Sequence, residues 1–304
     1  MKKAISIIIS ALMIFVSLQV NVNAASEKSN FNTENWMKNV DSNKYLSQLS
    51  IPGTHDSGAL YESVYGTAKC QEISIDKQLE AGTRYLDIRC REIGDAFAIH
   101  HGMVYQHANF DDVINSCSKF LRDNPSETII LSVKEEYKSE NSTKSFEEVF
   151  DTYVNKNRNL WYLNDTIPTL GEVRGKIVLV RRFASSSKKG IDASSWKDNT
   201  TFSINNSSNL VIQDCYKVGN NSNKWKAITN LYEKASRSND NCLYINYGSG
   251  YKSTLGIPNI RKVKSYINPK IIKYFNENTK GRFGITVVDF ADEDINRSVI
   301  NTNF

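Results

Sequence analysis

The stretch IPGTHDSGA, Ile51–Ala59, sets an imidazole beside a carboxyl: His55 is followed by Asp56, just past a Gly-Thr pair. An imidazole accepts or delivers a proton near neutral pH, so the pair is either acid–base machinery or a turn cap. Only three other histidines exist, at 100, 101 and 107. YLDIRCR carries Asp87 and Arg89, which period-two alternation places on the same face of a strand. Of the HHG pair, His101 beside Gly102 is expected to point inward, while His100 packs and His107 has no role. Two imidazoles and a guanidinium facing one pocket suit phosphodiester chemistry. One imidazole takes a proton from an attacking hydroxyl and the other gives one to the departing alkoxide. An Arg fork neutralises the phosphate charge that grows between them. A metal-dependent version would spend several carboxylates as oxygen ligands. Arg89 takes that central place, so no metal and no cofactor is expected.

The elements that must position these groups are legible as eight short apolar runs. They are SQLSIPG before His55, RYLDIRC at Arg84–Cys90, AFAIHHG at Ala96–Gly102 and TIILSVKEEY from Thr128. KIVLVRRF from Lys176, LVIQDCYKV from Leu210, CLYINYG from Cys242 and FGITVVDFAD from Phe283 follow. Several are continuous rather than alternating, as in strands buried on both faces of a parallel sheet. Helical patterns lie between many of them. In FDDVINSCSKFLRDNP, the residues Phe110, Val113, Ile114, Cys117, Phe120 and Leu121 form one stripe, with acids at the start and Asn124-Pro125 as the stop. SFEEVFDTYVNK, NKWKAITNLYEKAS and NPKIIKYFNEN read likewise.

Eight strands with interleaved helices predict an α/β chain folded as a single, irregular TIM-type (β/α) barrel. Two irregularities are expected. Arg91–Asp95 is too short for a helical crossover and calls for a hairpin. The polar tract between Arg182 and Leu210 reads as loop. In such a barrel chemistry sits at the C-terminal strand ends. Those ends carry His55 and Asp56, Asp87 and Arg89, His100 and His101, Lys134, Arg182, Asp214 with Tyr216, and Asp289.

Residues 1–24 have the layout of a secretory signal peptide. Lys2 and Lys3 precede a mostly apolar run, and Val22-Asn23-Ala24 offers a small-residue cleavage site. The expected product is a secreted, soluble catalytic domain over 25–304. The formal charge of +5 is too mild to suggest nucleic acid. Five scattered cysteines, at 70, 90, 117, 215 and 242, lack zinc spacing, and most read as small buried hydrophobes.

IPGTHDSG, YLDIRCR, AIHHG, DNPSETIILSVKEEY, GKIVLVRRF, VIQDCYKV, LYINY, SYINP and VVDF together resemble the bacterial phosphatidylinositol-specific phospholipases C. The matches are collinear from about Asn35 to Phe290. The resemblance implies cleavage of phosphatidylinositol to diacylglycerol and a 1,2-cyclic inositol phosphate, followed by slower hydrolysis of the cyclic product. It implies His55 as base toward the inositol 2-hydroxyl and Asp289 as the carboxylate orienting it. His101 matches the general acid with Asp56 as partner, Arg89 the phosphate-binding Arg and Asp87 a supporting acid. Lys134, Arg182, Asp214 and Tyr216 match residues that hold the inositol, with Arg181 left open as an alternative to Arg182. The calcium-dependent branch departs at the Arg89 position, so the likeness is to the metal-independent one.

The implied partner is phosphatidylinositol at a peripheral membrane surface, met by a monomer. Glycosylphosphatidylinositol anchors are left open as further substrates. The family's rim Trp residues are missing, and Tyr61, Val64, Tyr65, Tyr251 and Leu255 stand in those segments as candidate interface residues. Three other readings fit less well. A glycerophosphodiester phosphodiesterase would call for a metal and a Glu-rich cluster. A dead lipid-binding module would not keep both His and both acidic partners. A Ser hydrolase on Ser57 lacks the strand–turn–helix context of a nucleophile elbow.

Overall fold

All eight apolar runs form strands in the computed structural model, which describes residues 31–304. Numbered in chain order, the strands are β1 (Ser50–Thr54), β2 (Tyr85–Ile93), β3 (Ala96–His101), β4 (Val104–Asn109), β5 (Ile129–Glu135), β6 (Trp161–Tyr162) and β7 (Ile177–Arg182). The others are β8 (Ile191–Asp192), β9 (Thr201–Ile204), β10 (Leu210–Gln213), β11 (Leu243–Tyr247), β12 (Lys252–Thr254), β13 (Ile257–Asn259) and β14 (Gly284–Val288). The helices are α1 (Ile75–Glu80), α2 (Phe110–Asp123), α3 (Phe146–Lys156), α4 (Leu170–Val173), α5 (Asn221–Arg237), α6 (Arg261–Glu277) and α7 (Glu293–Asn301). The expected signal peptide lies outside the described residues.

The main sheet runs in the order β6-β7-β5-β2-β1-β14-β11-β10-β9. Every neighbour pair along it is parallel except β10 with β9. The continuous apolar runs follow from burial on both faces. Ile212, Ile245, Ile285 and Ile51 stand in register across four strands, and Tyr85, Ile130 and Val178 across three. This inner layer is filled from below by Trp36, Met37 and Leu46. The opposite-facing Ile88, Leu131, Val133 and Leu179 pack with Phe110, Val113 and Cys117 of α2 and Val149 and Phe150 of α3. On the other flank, Val263, Ile267, Ile271 and Phe275 recur every four residues along α6 and join Ile295 and Val299 of α7.

The sheet curls without closing. Among the described residues no hydrogen-bonded pair joins its two ends, so the expected irregular TIM-type barrel is met in part, as a curled α/β half-barrel. The cause lies in the tract read as loop. It contains β8, only two residues long and paired to β7, and β9, which folds back antiparallel on β10. The outer edge of β9 alternates exposed and buried residues and presents no closing partner. The expected hairpin is present: β2 and β3 are antiparallel about the Gly94-Asp95 turn, and β4 extends them. No helix among the described residues is long and apolar enough to cross a membrane.

Candidate active site

β1 lies between β14 and β2, with Thr54 in register with both Val288 and Leu86. The residues leaving β1 and β14 at the same level are His55 and Asp289. The His55 N–H donates to the Val288 carbonyl at 3.0 Å, and the ring Nδ1–H donates to Asp289 Oδ1 at 2.7 Å. Asp289 is 1% exposed and its other oxygen accepts the Gly250 N–H at 3.3 Å. Gly250 is required there: at φ +154°, an added Cβ would lie 2.7 Å from the Tyr216 carbonyl oxygen. Burial by itself would depress the His55 pKa, but the Asp289 charge and hydrogen bond outweigh it and raise the group above 6.5. With Nδ1 protonated, Nε2 carries the lone pair, and the Arg89 guanidinium donates to it at 2.7 Å.

Arg89 stands on β2 two residues beyond Asp87, and the two side chains meet on one side of the strand as alternation requires. Asp87 lies 3.5 Å from Nη2 of Arg89, Asp56 3.7 Å from Nε, and Glu136 3.8 Å from Nη1. Three carboxyls therefore surround one guanidinium and hold it charged despite burial. Burial alone would raise Asp87, yet Arg89 and Arg182 pull it below the usual carboxylate range. Glu136 is a residue the sequence reading missed. It bonds Lys134 Nζ at 2.6 Å and the Gly102 N–H at 3.0 Å. Against burial, the Arg89 and Lys134 charges draw it down to about 2. The run SVKEE offered Glu135 and Glu136 together, and alternation on β5 could have marked the second as sharing the side of Lys134.

His101 ends β3 and lines the pocket, whereas His100 is buried and packs on Tyr105. The His101 Nδ1–H donates to the Ala68 carbonyl at 2.7 Å and lies 3.6 Å from Asp56 Oδ2. Burial, then the Arg89 and His55 charges, press the His101 pKa down to about 4. Asp56 is fully buried, adopts φ +39°, and neither of its carboxylate oxygens takes part in a hydrogen bond among the described residues. Burial lifts its pKa to about 7, against the pull of Arg89. The Cys70 thiol lies 3.6 Å from His101 Nδ1.

Of these groups, His55, Arg89, His101 and Glu136 line a cavity of about 1080 Å³. One wall carries Lys134, Arg182, Asp214 and Tyr216, all four of the expected polyol-side residues. The two arginines, both lining the cavity, differ in their partners. Arg181 is spent on the Lys189 and Phe183 carbonyls and on Asp192. Arg182 bonds Asp87 at 3.3 Å and stacks over Trp196 at 3.7 Å. Trp196, hidden in the tract read as loop, also donates to Asp214 at 3.0 Å. Tyr216 bonds Asp198 at 2.5 Å.

At the cavity mouth the two segments expected to meet a membrane are joined, the Ile260 N–H donating to the Gly66 carbonyl. Tyr61, Val64, Tyr65 and Leu255 are exposed, Leu255 almost wholly, and Ile257 adds to them. Tyr251 is half-buried against Ala59, Cys70, Ile260 and Phe290 and lines the cavity. His107, given no role, bridges Tyr61 and Tyr105 by ring contacts and extends this apolar rim toward exposed Met103.

An open parallel α/β sheet with an acid–base cluster at its strand ends defines the class of protein, and comparison narrows it. Residues 42–183 match the family model for the phosphatidylinositol-specific phospholipase C X domain. The chain is 36% identical to a 1-phosphatidylinositol phosphodiesterase of Staphylococcus aureus, over all of both chains. A solved structure from work on modulating membrane binding of the Staphylococcus aureus phosphatidylinositol-specific phospholipase C superposes with a TM-score of 0.81 at 35% identity. It covers 90% of this chain and 98% of that one. The Listeria monocytogenes phosphatidylinositol-specific phospholipase C gives 0.76 at 29% identity, over 90% of this chain and all of the other. The chain belongs to the bacterial phosphatidylinositol-specific phospholipase C family.

Proposed function

We propose that this protein cleaves phosphatidylinositol at a membrane surface, by attack of the inositol 2-hydroxyl on its own phosphodiester. The observation that carries the reading is the arrangement around Arg89. A base with its lone pair aimed at the guanidinium stands on one side, and a second imidazole with a buried carboxyl stands on the other. His55 Nε2 removes the 2-hydroxyl proton as that oxygen bonds to phosphorus. Asp289 fixes the Nδ1–H tautomer and stabilises the imidazolium that forms. Arg89 shifts from Nε2 to the phosphate oxygens, where its charge meets the charge that develops in the transition state.

The bond from phosphorus to the diacylglycerol oxygen then breaks, and His101 supplies the proton. In the free protein burial favours a neutral Asp56 carboxyl, and burial with the Arg89 and His55 charges favours a neutral His101 imidazole. A bound phosphate offsets the Arg89 charge that disfavours an imidazolium, so with substrate present His101, its Nδ1–H held by Ala68, takes up the acidic proton at Nε2 from solvent. The products are diacylglycerol and the 1,2-cyclic phosphate. Water entering where diacylglycerol left reverses the roles, opening the ring with His101 as base and His55 as acid. Lys134, Arg182, Asp214 and Tyr216 hold the inositol hydroxyls. The rim of Tyr61, Val64, Tyr65 and Leu255 seats the protein on lipid. Residues 1–24 direct export, which places the enzyme outside the cell.

Purified protein should release diacylglycerol from phosphatidylinositol vesicles in the presence of EDTA. His55→Ala and His101→Ala should each lose activity by about 100-fold or more. Full activity in either variant would overturn its role, and an absolute metal requirement would overturn the metal-free reading.

A further inference from the structure

Cys70 has no part in the chemistry above, yet its sulfur lies between the two His–Asp pairs. Two groups of donors converge on it, His55 with Asp289 and Asp56 with His101, each set within 4.8 Å. The first is already satisfied: both ring nitrogens of His55 are engaged, and both Asp289 oxygens accept hydrogen bonds. The second is not. Both Asp56 oxygens are buried and take part in no hydrogen bond among the described residues. Cys70 Sγ and Asp56 Oδ2 each lie 3.6 Å from His101 Nδ1, and the Ala68 carbonyl oxygen lies 2.7 Å from the same nitrogen and 3.7 Å from the sulfur. A tetrahedral zinc ion with ordinary zinc–sulfur, zinc–nitrogen and zinc–oxygen bonds sets its donors roughly 3.3–3.6 Å apart. The two spacings from His101 Nδ1 to Cys70 and Asp56 match this, and those two donors lie within 4.8 Å of each other.

We infer that Asp56, Cys70 and His101 form a binding site for a thiophilic transition-metal ion such as Zn²⁺, and that its occupation inhibits the enzyme. The ion enters from the cavity past His101, which lines it. Thiolate and carboxylate together balance the divalent charge, so the ion adds no net charge beside Arg89, whose Nε is 3.7 Å from Asp56. To bind, His101 moves its proton from Nδ1 to Nε2 and gives up the Ala68 hydrogen bond, while Cys70 releases its thiol proton and Asp56 its carboxyl proton. A ligated His101 cannot become the imidazolium that protonates the leaving group. This last consequence rests on the proposed role of His101, whereas the metal site itself does not.

Full-length protein titrated with Co²⁺ should show the near-ultraviolet thiolate-to-cobalt band and the visible bands of four-coordinate cobalt. Zn²⁺ should displace both. The bands should vanish in Cys70→Ala and persist in Cys215→Ser with Cys242→Ser, which removes the two half-exposed thiols. Cys70→Ala should keep its activity in EDTA, while the Zn²⁺ concentration for half-inhibition rises by at least about 100-fold, the upper end of what losing even an outer-shell partner costs. Equal cobalt spectra or equal zinc sensitivity in Cys70→Ala would overturn the site. Cys70-dependent cobalt bands together with undiminished activity at saturating Zn²⁺ would uphold the site and overturn His101 as the acid.

Discussion

The two His–Asp pairs contain the same chemical groups and differ in every physical respect. His55 and Asp289 are joined by a 2.7 Å hydrogen bond across two adjacent parallel strands, and the carboxylate is further held by the Gly250 N–H. His101 and Asp56 stand 3.6 Å apart without a hydrogen bond, one at a hairpin end and the other on a residue at φ +39°. Register fixes the first pair, and a strained turn supports the second. The pKa directions follow. The Asp289 charge and hydrogen bond raise His55, whereas burial lifts Asp56 and, with the Arg89 and His55 charges, lowers His101. A base must be oriented and ready, and an acid must be charged only when substrate arrives. In the proposed mechanism those two needs fall to His55 and His101 respectively.

The largest effect that tests the contrast is expected at Asp289. Asp289→Asn should lower kcat/KM by about 100-fold or more, within the range a positioned acid–base group supplies. The sign of the pH effect is fixed by cause. The native His55 pKa lies above 6.5, so the acid limb of kcat/KM falls above that pH as the base becomes protonated. Removing the carboxylate leaves burial and Arg89 to lower the pKa, so the limb moves to lower pH. A pH–rate profile with an unmoved limb would break the comparison.

Asp56→Asn should do the opposite to stability. The folded chain keeps a proton on Asp56 that the unfolded chain releases between its ordinary pKa of 3.8 and about 7. Folded Asp56 therefore costs stability increasingly as pH rises through that window, and the cost is absent below it. An amide, which tolerates the positive φ, should raise Tm at pH 8 by about 2–4 °C, the shift worth 1 kcal/mol at this size, and by less at pH 5. Calorimetry at the two pH values checks the sign, alongside lower activity. The smallest effect concerns the rim. Tyr65→Ser with Leu255→Ser should weaken partition onto phosphatidylinositol vesicles several-fold, while turnover of a soluble inositol phosphodiester stays unchanged. Unchanged sedimentation would remove these anchors.

Much of this was legible from residue order. His55, Arg89, Lys134, Arg182 and Asp289 each end or lie near the end of an apolar run, and burial on both faces makes such runs easy to see. The α6 helix was only half visible, because Pro269 reads as a start, although the helix runs through it from Arg261. Trp196 and β9 were hidden in a polar tract, since a short edge strand has one solvated face and no continuous apolar signal. Closure of the sheet could not be read at all: it depends on pairing between segments far apart in sequence. Glu136 was missed although Lys134, two residues earlier, is one of its partners, because the other two, Arg89 and the Gly102 N–H, come from distant segments.

The central claim is that His55 acts on the attacking oxygen and His101 on the departing one. It is tested most directly by comparing phosphatidylinositol with an inositol phosphodiester whose leaving group is an acidic phenol needing no proton. His101→Ala should recover most of its lost kcat on the phenol ester, whereas His55→Ala should stay equally impaired on both substrates. Equal impairment of His101→Ala on both, or recovery of His55→Ala instead, would contradict the assignment.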